Sequence, residues 1–244
     1  MAEFLIKAHR IRKRYGSASF DALSETSLTF SRGELVAIIG PNGAGKSTLF
    51  DILAGLMAPS SGHVIRNVSE QEIGWCPQRE IIDWSLTVQQ NILLGFDLRE
   101  KRFHRRQDIS ALAELLGLTR FLDRTAETLS GGELRRTQIA RALAGNTSCV
   151  ILDEPTTGLD PDGTQSVFEY LVHKAKDGGT ALVSTHETSR FARYCSRVVA
   201  LKSGRVIADM PASEFVRKGS DSEDLWNAYL AIAESVHCDK GRET

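Results

Sequence analysis

Eight consecutive residues constrain this chain more than any others. Gly40-Pro41-Asn42-Gly43-Ala44-Gly45-Lys46-Ser47 fits G-x-x-x-x-G-K-[ST] at every fixed position. The apolar run Leu35-Val36-Ala37-Ile38-Ile39 precedes it. A helix-period segment follows, with Leu49, Ile52, Leu53 and Leu56 expected on one face. Strand, glycine loop and helix in that order make a cradle for phosphate. The glycines let the backbone curl until several N–H groups point inward, and the helix N-terminus adds positive potential. There Lys46 would reach the β- and γ-phosphates of a nucleotide, and the Ser47 hydroxyl would ligate Mg2+. The plainer alternative is a Gly-rich turn ahead of a helix; having strand, loop and helix all in order weakens it.

Two further segments carry chemistry. Cys149-Val150-Ile151-Leu152 is apolar throughout and ends in Asp153-Glu154-Pro155. Open α/β sheets bind ligands at the C-terminal edges of their strands. At such an edge Asp153 is the expected Mg2+ partner, and Glu154 is placed to polarise a water against the γ-phosphate. Alone, the same pair would only end a strand. The third segment is Leu129-Ser130-Gly131-Gly132-Glu133. Ser130 and Glu133 form an S-x-x-E capping box for the helix that follows. The cap leaves the two glycines unexplained, since they cost helix stability at its first positions. Beside a capping serine they leave N–H groups approachable, a second anion site. One nucleotide does not easily use both loops of one subunit, whereas two subunits arranged head to tail do.

Short apolar runs alternating with helix-period segments predict an α/β fold: a P-loop core with a mainly parallel sheet. Residues 4–15 and 24–30 alternate and predict an antiparallel β flank, and residues 198–208 read as a hairpin. Between Trp84 and Gly145 the strand signals vanish, and helical segments are expected over 88–94, 109–116 and 135–143. The expected organisation is therefore a single domain, 1–244. Its α/β core covers about 1–83 and 147–221, a helical subdomain is inserted at about 84–146, and a C-terminal helix and tail occupy about 222–244. The 244 residues suit one large domain. Lys+Arg at 30 against Asp+Glu at 31 gives a net charge of −1, no general field for DNA or RNA, and no nucleic-acid partner is expected. The four cysteines are scattered with no Cys-x-x-Cys, which argues against a disulfide framework and for a reducing compartment. The opening residues hold no signal-peptide run, and no window approaches the ~18 apolar residues of a membrane helix.

With these three motifs in place, the sequence resembles the nucleotide-binding domains of ATP-binding cassette (ABC) transporters over about residues 6–208. Residues 40–47 look like their Walker A, 150–154 like their Walker B with its glutamate, and 129–133 like their signature motif. The resemblance implies further roles. Gln78 matches the Q-loop glutamine that contacts Mg2+ and the attacking water, and Gly158-Leu159-Asp160 matches the D-loop. His186 matches the switch histidine near the γ-phosphate, and Tyr15 an aromatic that stacks on adenine. Thr48 joins the nucleotide-binding residues, which on this reading are Tyr15, 40–48, Ser130, Gly131, Gly132 and Asp160. The catalytic set is Glu154, His186 and Gln78, and the metal set Ser47, Gln78 and Asp153. Two departures stand out: Glu133 where glutamine is usual, and Gly158 where alanine is frequent, a change expected to be small.

The resemblance implies an ATPase with ATP and Mg2+ as cofactors, working as a dimer with a second ATP-binding subunit, a homodimer on the simplest reading. Integral membrane permease subunits and a solute-binding protein are the further partners. The location would be the cytoplasmic face of the inner (plasma) membrane. Ile82-Asp83-Trp84 ahead of Thr87-Val88 is similar to the cassettes of bacterial manganese, zinc and iron importers; Trp84 as core packing is the alternative. A soluble ABC ATPase of cofactor assembly or DNA maintenance is the second functional reading. The basic run Lys101-Arg102-Phe103-His104-Arg105-Arg106 reads as a solvated face, with a docking surface near lipid headgroups as the other option.

Overall fold

The computed structural model describes residues 4–16, 19–99, 105–145, 147–219 and 224–240. In chain order the elements are β1 (Phe4–Lys13), β2 (Leu23–Ser31), β3 (Leu35–Ile39), α1 (Lys46–Ala54), β4 (Ser61–Arg66), β5 (Ile73–Cys76), α2 (Val88–Asp97), α3 (Arg105–Leu115) and α4 (Gly131–Leu143). Then follow β6 (Cys149–Asp153), α5 (Pro161–Lys176), β7 (Thr180–Ser184), α6 (Thr188–Phe191), β8 (Arg197–Lys202), β9 (Arg205–Pro211), α7 (Ala212–Val216) and α8 (Leu225–Lys240).

The central sheet has the order β5-β6-β7-β3-β8-β9. All its pairings are parallel except β8 with β9. Every residue of β3, β6 and β7 is buried, as near-continuous apolar runs in a sheet covered on both faces require. A second, antiparallel sheet, β2-β1-β4, lies over one face with α1 between, and Phe30, Leu49, Phe50 and Ile38 share that core. The opposite face is covered by α2, α4, α5 and α8. There Ile92, Phe96, Ile139 and Phe168 join Val150 and Ala37 in one cluster. The inserted helices thus pack into the sheet's own core.

Several expectations are corrected. Leu56 is not on the α1 face: Gly55 takes φ +85, its N–H closes onto Ile52, and the chain turns so that Leu56 is 62% exposed. Phe50 fills the core instead. Trp84 is no core residue, at 48% exposed. Strands β4 and β5 had no strand reading. β4 is half-exposed on an edge and lacks an apolar face, and β5 has four residues. Helix α2 runs on to Asp97, and α3 spans Arg105–Leu115. Lys101 to His104, and the side chains of Arg105 and Arg106, lie outside the described residues.

Candidate functional site

Strand β3 delivers the phosphate loop to the C-terminal edge of the sheet. Gly45 caps α1 at φ +103, and a Cβ there would come within 2.5 Å of the Ala22 carbonyl, so only glycine fits. No side chain caps α1, which leaves the first N–H groups of the helix facing outward. The Lys46 ammonium is buried and donates to the Gly40 carbonyl at 2.7 Å and the Pro41 carbonyl at 3.3 Å. Burial pulls its pKa down, and the charges of Glu154 and Asp153 pull the other way.

Strand β6 stands two places away, with β7 between. The Asp153 carboxylate receives the Ser47 hydroxyl on one oxygen and the Ser184 hydroxyl on the other, each at 2.5 Å. Glu154 is 3% exposed and takes φ +51, a region that non-glycine residues avoid. Its N–H donates to the Ser184 hydroxyl at 2.9 Å, and its Oε2 accepts the His186 N–H at 3.1 Å. Oε1 lies 3.4 Å from His186 Nε2 and receives no hydrogen bond, although it is buried. Burial holds the Glu154 pKa above the ordinary carboxylate range; His186 and Lys46 oppose that rise.

A cavity of about 740 Å3 opens over these groups. Tyr15, Asn42, Gly43, Ala44, Gly45, Lys46, Ser47, Thr48, Gln78, Asp153 and Glu154 all line it, as sequence reasoning expected, together with Phe20, Asp21, Ala22 and Ser203, which it missed. Phe20 is 71% exposed; a lone aromatic in a short loop just after Tyr15 was the available signal. Tyr15 rests its hydroxyl 3.2 Å from Thr48 Oγ1. Gly40 and Pro41 face Lys46 through their carbonyls, and His186 stands beside Glu154.

Ser130, Gly131, Gly132 and Asp160 are not on the cavity wall. The Ser130 N–H donates to Glu133 at 2.8 Å, and its hydroxyl receives the Glu133 N–H at 3.4 Å, closing the capping box of α4. Around Gly131 the space is open where a side chain would be, whereas Gly132 abuts the Gly158 carbonyl. Asp160 caps α5, receiving the Gly163 N–H at 2.7 Å. Gly158 sits at φ +79, so alanine at this position would be strained, and the departure expected to be small is not.

Two residues escaped the sequence altogether. Arg135 and Gln138 of α4 reach the backbone on both sides of Gln78 and at the end of β6. Nothing in a helical pattern marks a buried arginine as a tie between loops.

The family model "ABC transporter" matches residues 23–157. The methionine import ATP-binding protein MetN of Geobacillus kaustophilus is 36% identical over 220 residues; the match covers 83% of this chain and 64% of that protein. The lipopolysaccharide export system ATP-binding protein LptB of Haemophilus influenzae is 31% identical over 220 residues, covering 85% of this chain and 88% of that one. An ATP-binding cassette solved as a dimer in a post-hydrolysis state, bound to ADP and Pi, superposes with a TM-score of 0.77 at 28% identity, covering 85% of this chain and 99% of that one.

Proposed function

Because this chain belongs to the ABC transporter family, as one of its ATP-binding and ATP-hydrolysing domains, we propose that it powers a membrane transporter by closing as a dimer on two ATP molecules. One observation carries the reading: the chain has two anion-accepting surfaces, the Lys46 cradle and the open Ser130–Gly131 cap, and only the first lines the cavity. A second subunit, a homodimeric copy, would bring its Ser130, Gly131, Gly132 and Asp160 to the nucleotide in the first subunit's cradle.

In this reading Tyr15 stacks on adenine, residues 40–48 hold the phosphates, and Lys46 exchanges its carbonyl partners for phosphate oxygens. Ser47, Asp153 and Gln78 would hold Mg2+. The fit rests on hard oxygens 2.5 Å apart at Ser47 and Asp153, in a site that leaves the remaining ligands to water and phosphate, as Mg2+ prefers. When bound, the ion supplies charge neutralisation to the phosphates. Glu154 orients the attacking water with its unpaired Oε1, Gln78 lies beside that water, and His186 faces the γ-phosphate.

The proposal places the chain at the cytoplasmic face of the plasma membrane, held there by integral permease subunits; among the described residues no helix is long and apolar enough to cross a membrane. The relatives are named for import and for export. We favour import of a small solute such as a divalent metal ion or metal chelate, with a solute-binding protein as partner. What supports this is Ile82-Asp83-Trp84 with Trp84 exposed after Gln78. Calorimetry tests the core of the proposal: Lys46→Ala should reduce ATP affinity by at least about a hundredfold, and undiminished affinity would refute it. Co-purification with a multi-span permease that takes up the metal tests the rest.

A further inference from the structure

Arg135 lies in the second turn of α4, the helix whose first turn is Gly131-Gly132-Glu133. It is 7% exposed, yet among the described residues it has no carboxylate partner. Its two terminal nitrogens are spent on backbone instead, while Nε is buried without a hydrogen bond. Nη1 donates to the Pro77 carbonyl at 2.6 Å, and Nη2 donates to the carbonyls of Asp153 at 2.6 Å and Glu154 at 2.9 Å. Gln138, one turn on, donates to Pro77 and Arg79, each at 3.0 Å. The carbonyls flanking Gln78 and those of both strand-end acids therefore converge on two side chains of one helix.

Burying a guanidinium against carbonyl dipoles alone is expensive. An apolar side chain would fill the volume but remove three hydrogen bonds, leaving Pro77 with Gln138 and Glu154 with the Thr157 N–H as remaining donors. The contact also falls where the backbone is strained: Glu154 at φ +51 is held by Ser184 through its N–H and by Arg135 through its carbonyl. With both peptide planes fixed, the Glu154 Cα–Cβ bond is aimed toward the site, where the His186 N–H holds the carboxylate.

We propose that Arg135 is a positioning residue for hydrolysis, setting the Gln78 loop and the Glu154 peptide in register with each other and with the helix that carries the Ser130 cap. The proposal rests on the ATPase reading above. Arg135 touches no substrate, so it acts on the chemical step and leaves nucleotide affinity unchanged. A merely structural role would lower the unfolding midpoint and leave turnover per folded molecule intact.

The test uses the full chain with Mg-ATP, following phosphate release, ATP affinity by calorimetry, and the unfolding midpoint. Arg135→Met should lower kcat by about tenfold to a hundredfold, with the ATP Kd within about threefold of wild type. Arg135→Lys should recover part of the loss, because an ammonium reaches some of the same carbonyls. Unchanged kcat per folded molecule in Arg135→Met, or a Kd that weakens in step with kcat, would overturn the proposal. Should Arg135→Met fail to fold, Gln138→Met decides: lowered kcat at retained Kd supports the tie, and wild-type kcat sinks it. A wild-type chain that releases no phosphate would instead refute the ATPase reading itself.

Discussion

Glu154 combines two costs in one residue. It is a buried carboxyl with an unpaired oxygen, and its backbone lies at φ +51. Its folded pKa is raised above the unfolded value by burial, so the protonated form is the one folding favours. The stability it contributes is present below the ordinary glutamate range and is lost as pH rises through the raised value. Glu154→Gln never ionises and escapes that loss. In unfolding scans without nucleotide its midpoint should therefore match wild type near pH ~4 and exceed it near pH ~8; a variant less stable at the higher pH contradicts the sign. The same substitution should leave ATP binding intact while blocking turnover, so gel filtration with Mg-ATP should show a lasting dimer. A variant that stays monomeric and hydrolyses ATP at the normal rate would remove Glu154 from its role.

At the scale of elements, the loop between Gln78 and α2 is braced at its far end by a buried amide. The Asn91 side chain donates to the carbonyls of Asp83 at 2.9 Å, Thr87 at 3.1 Å and Leu86 at 3.3 Å, and accepts the Asp83 N–H at 3.0 Å. Asn91→Leu would remove four hydrogen bonds to backbone groups, taking the acceptor from the Asp83 N–H. It should cost ~2–4 kcal/mol in denaturant unfolding and speed amide exchange over residues 83–87; unchanged exchange would show that the loop is held by other means. The sequence reveals the frame of such elements but not their ties. β3 and β6 were legible because a strand buried on both faces must be apolar almost without interruption. The hairpin of β8 and β9, the capping box at Ser130 and the cradle before α1 were legible because each depends on local spacing. β4 was not, since an edge strand with a half-exposed face has no pattern to display. Leu56 misled because a helical period runs on through Gly55, where the backbone turns. Arg135 and Asn91 were invisible because their partners are main-chain carbonyls, and a carbonyl has no letter in a sequence.

The whole molecule presents the Lys46 cradle and the Ser130 cap differently. The cradle is walled by the loop after β3, the start of α1, the end of β6 and residues of the β1–β2 loop, whereas the Ser130 cap stands off that wall. Gly131 has nothing within 4 Å of where a Cβ would stand, and Gly131→Ala is sterically free in one chain. Alanine also suits a helix better than glycine, by ~1 kcal/mol. This variant should unfold at an equal or higher midpoint and bind ATP as before, yet fail to dimerise or turn over at the normal rate, because the methyl occupies the space meant for the neighbouring nucleotide. Normal ATP-driven dimerisation would show that the cap is not a contact surface. The strand order carries one more consequence. β3, which holds the phosphate loop, pairs only with β7 and β8, both far later in the chain. A polypeptide still emerging from the ribosome therefore carries its nucleotide cradle long before either supporting strand has been synthesised, so it can grip no ligand, and burn none, until nearly all of it has been made.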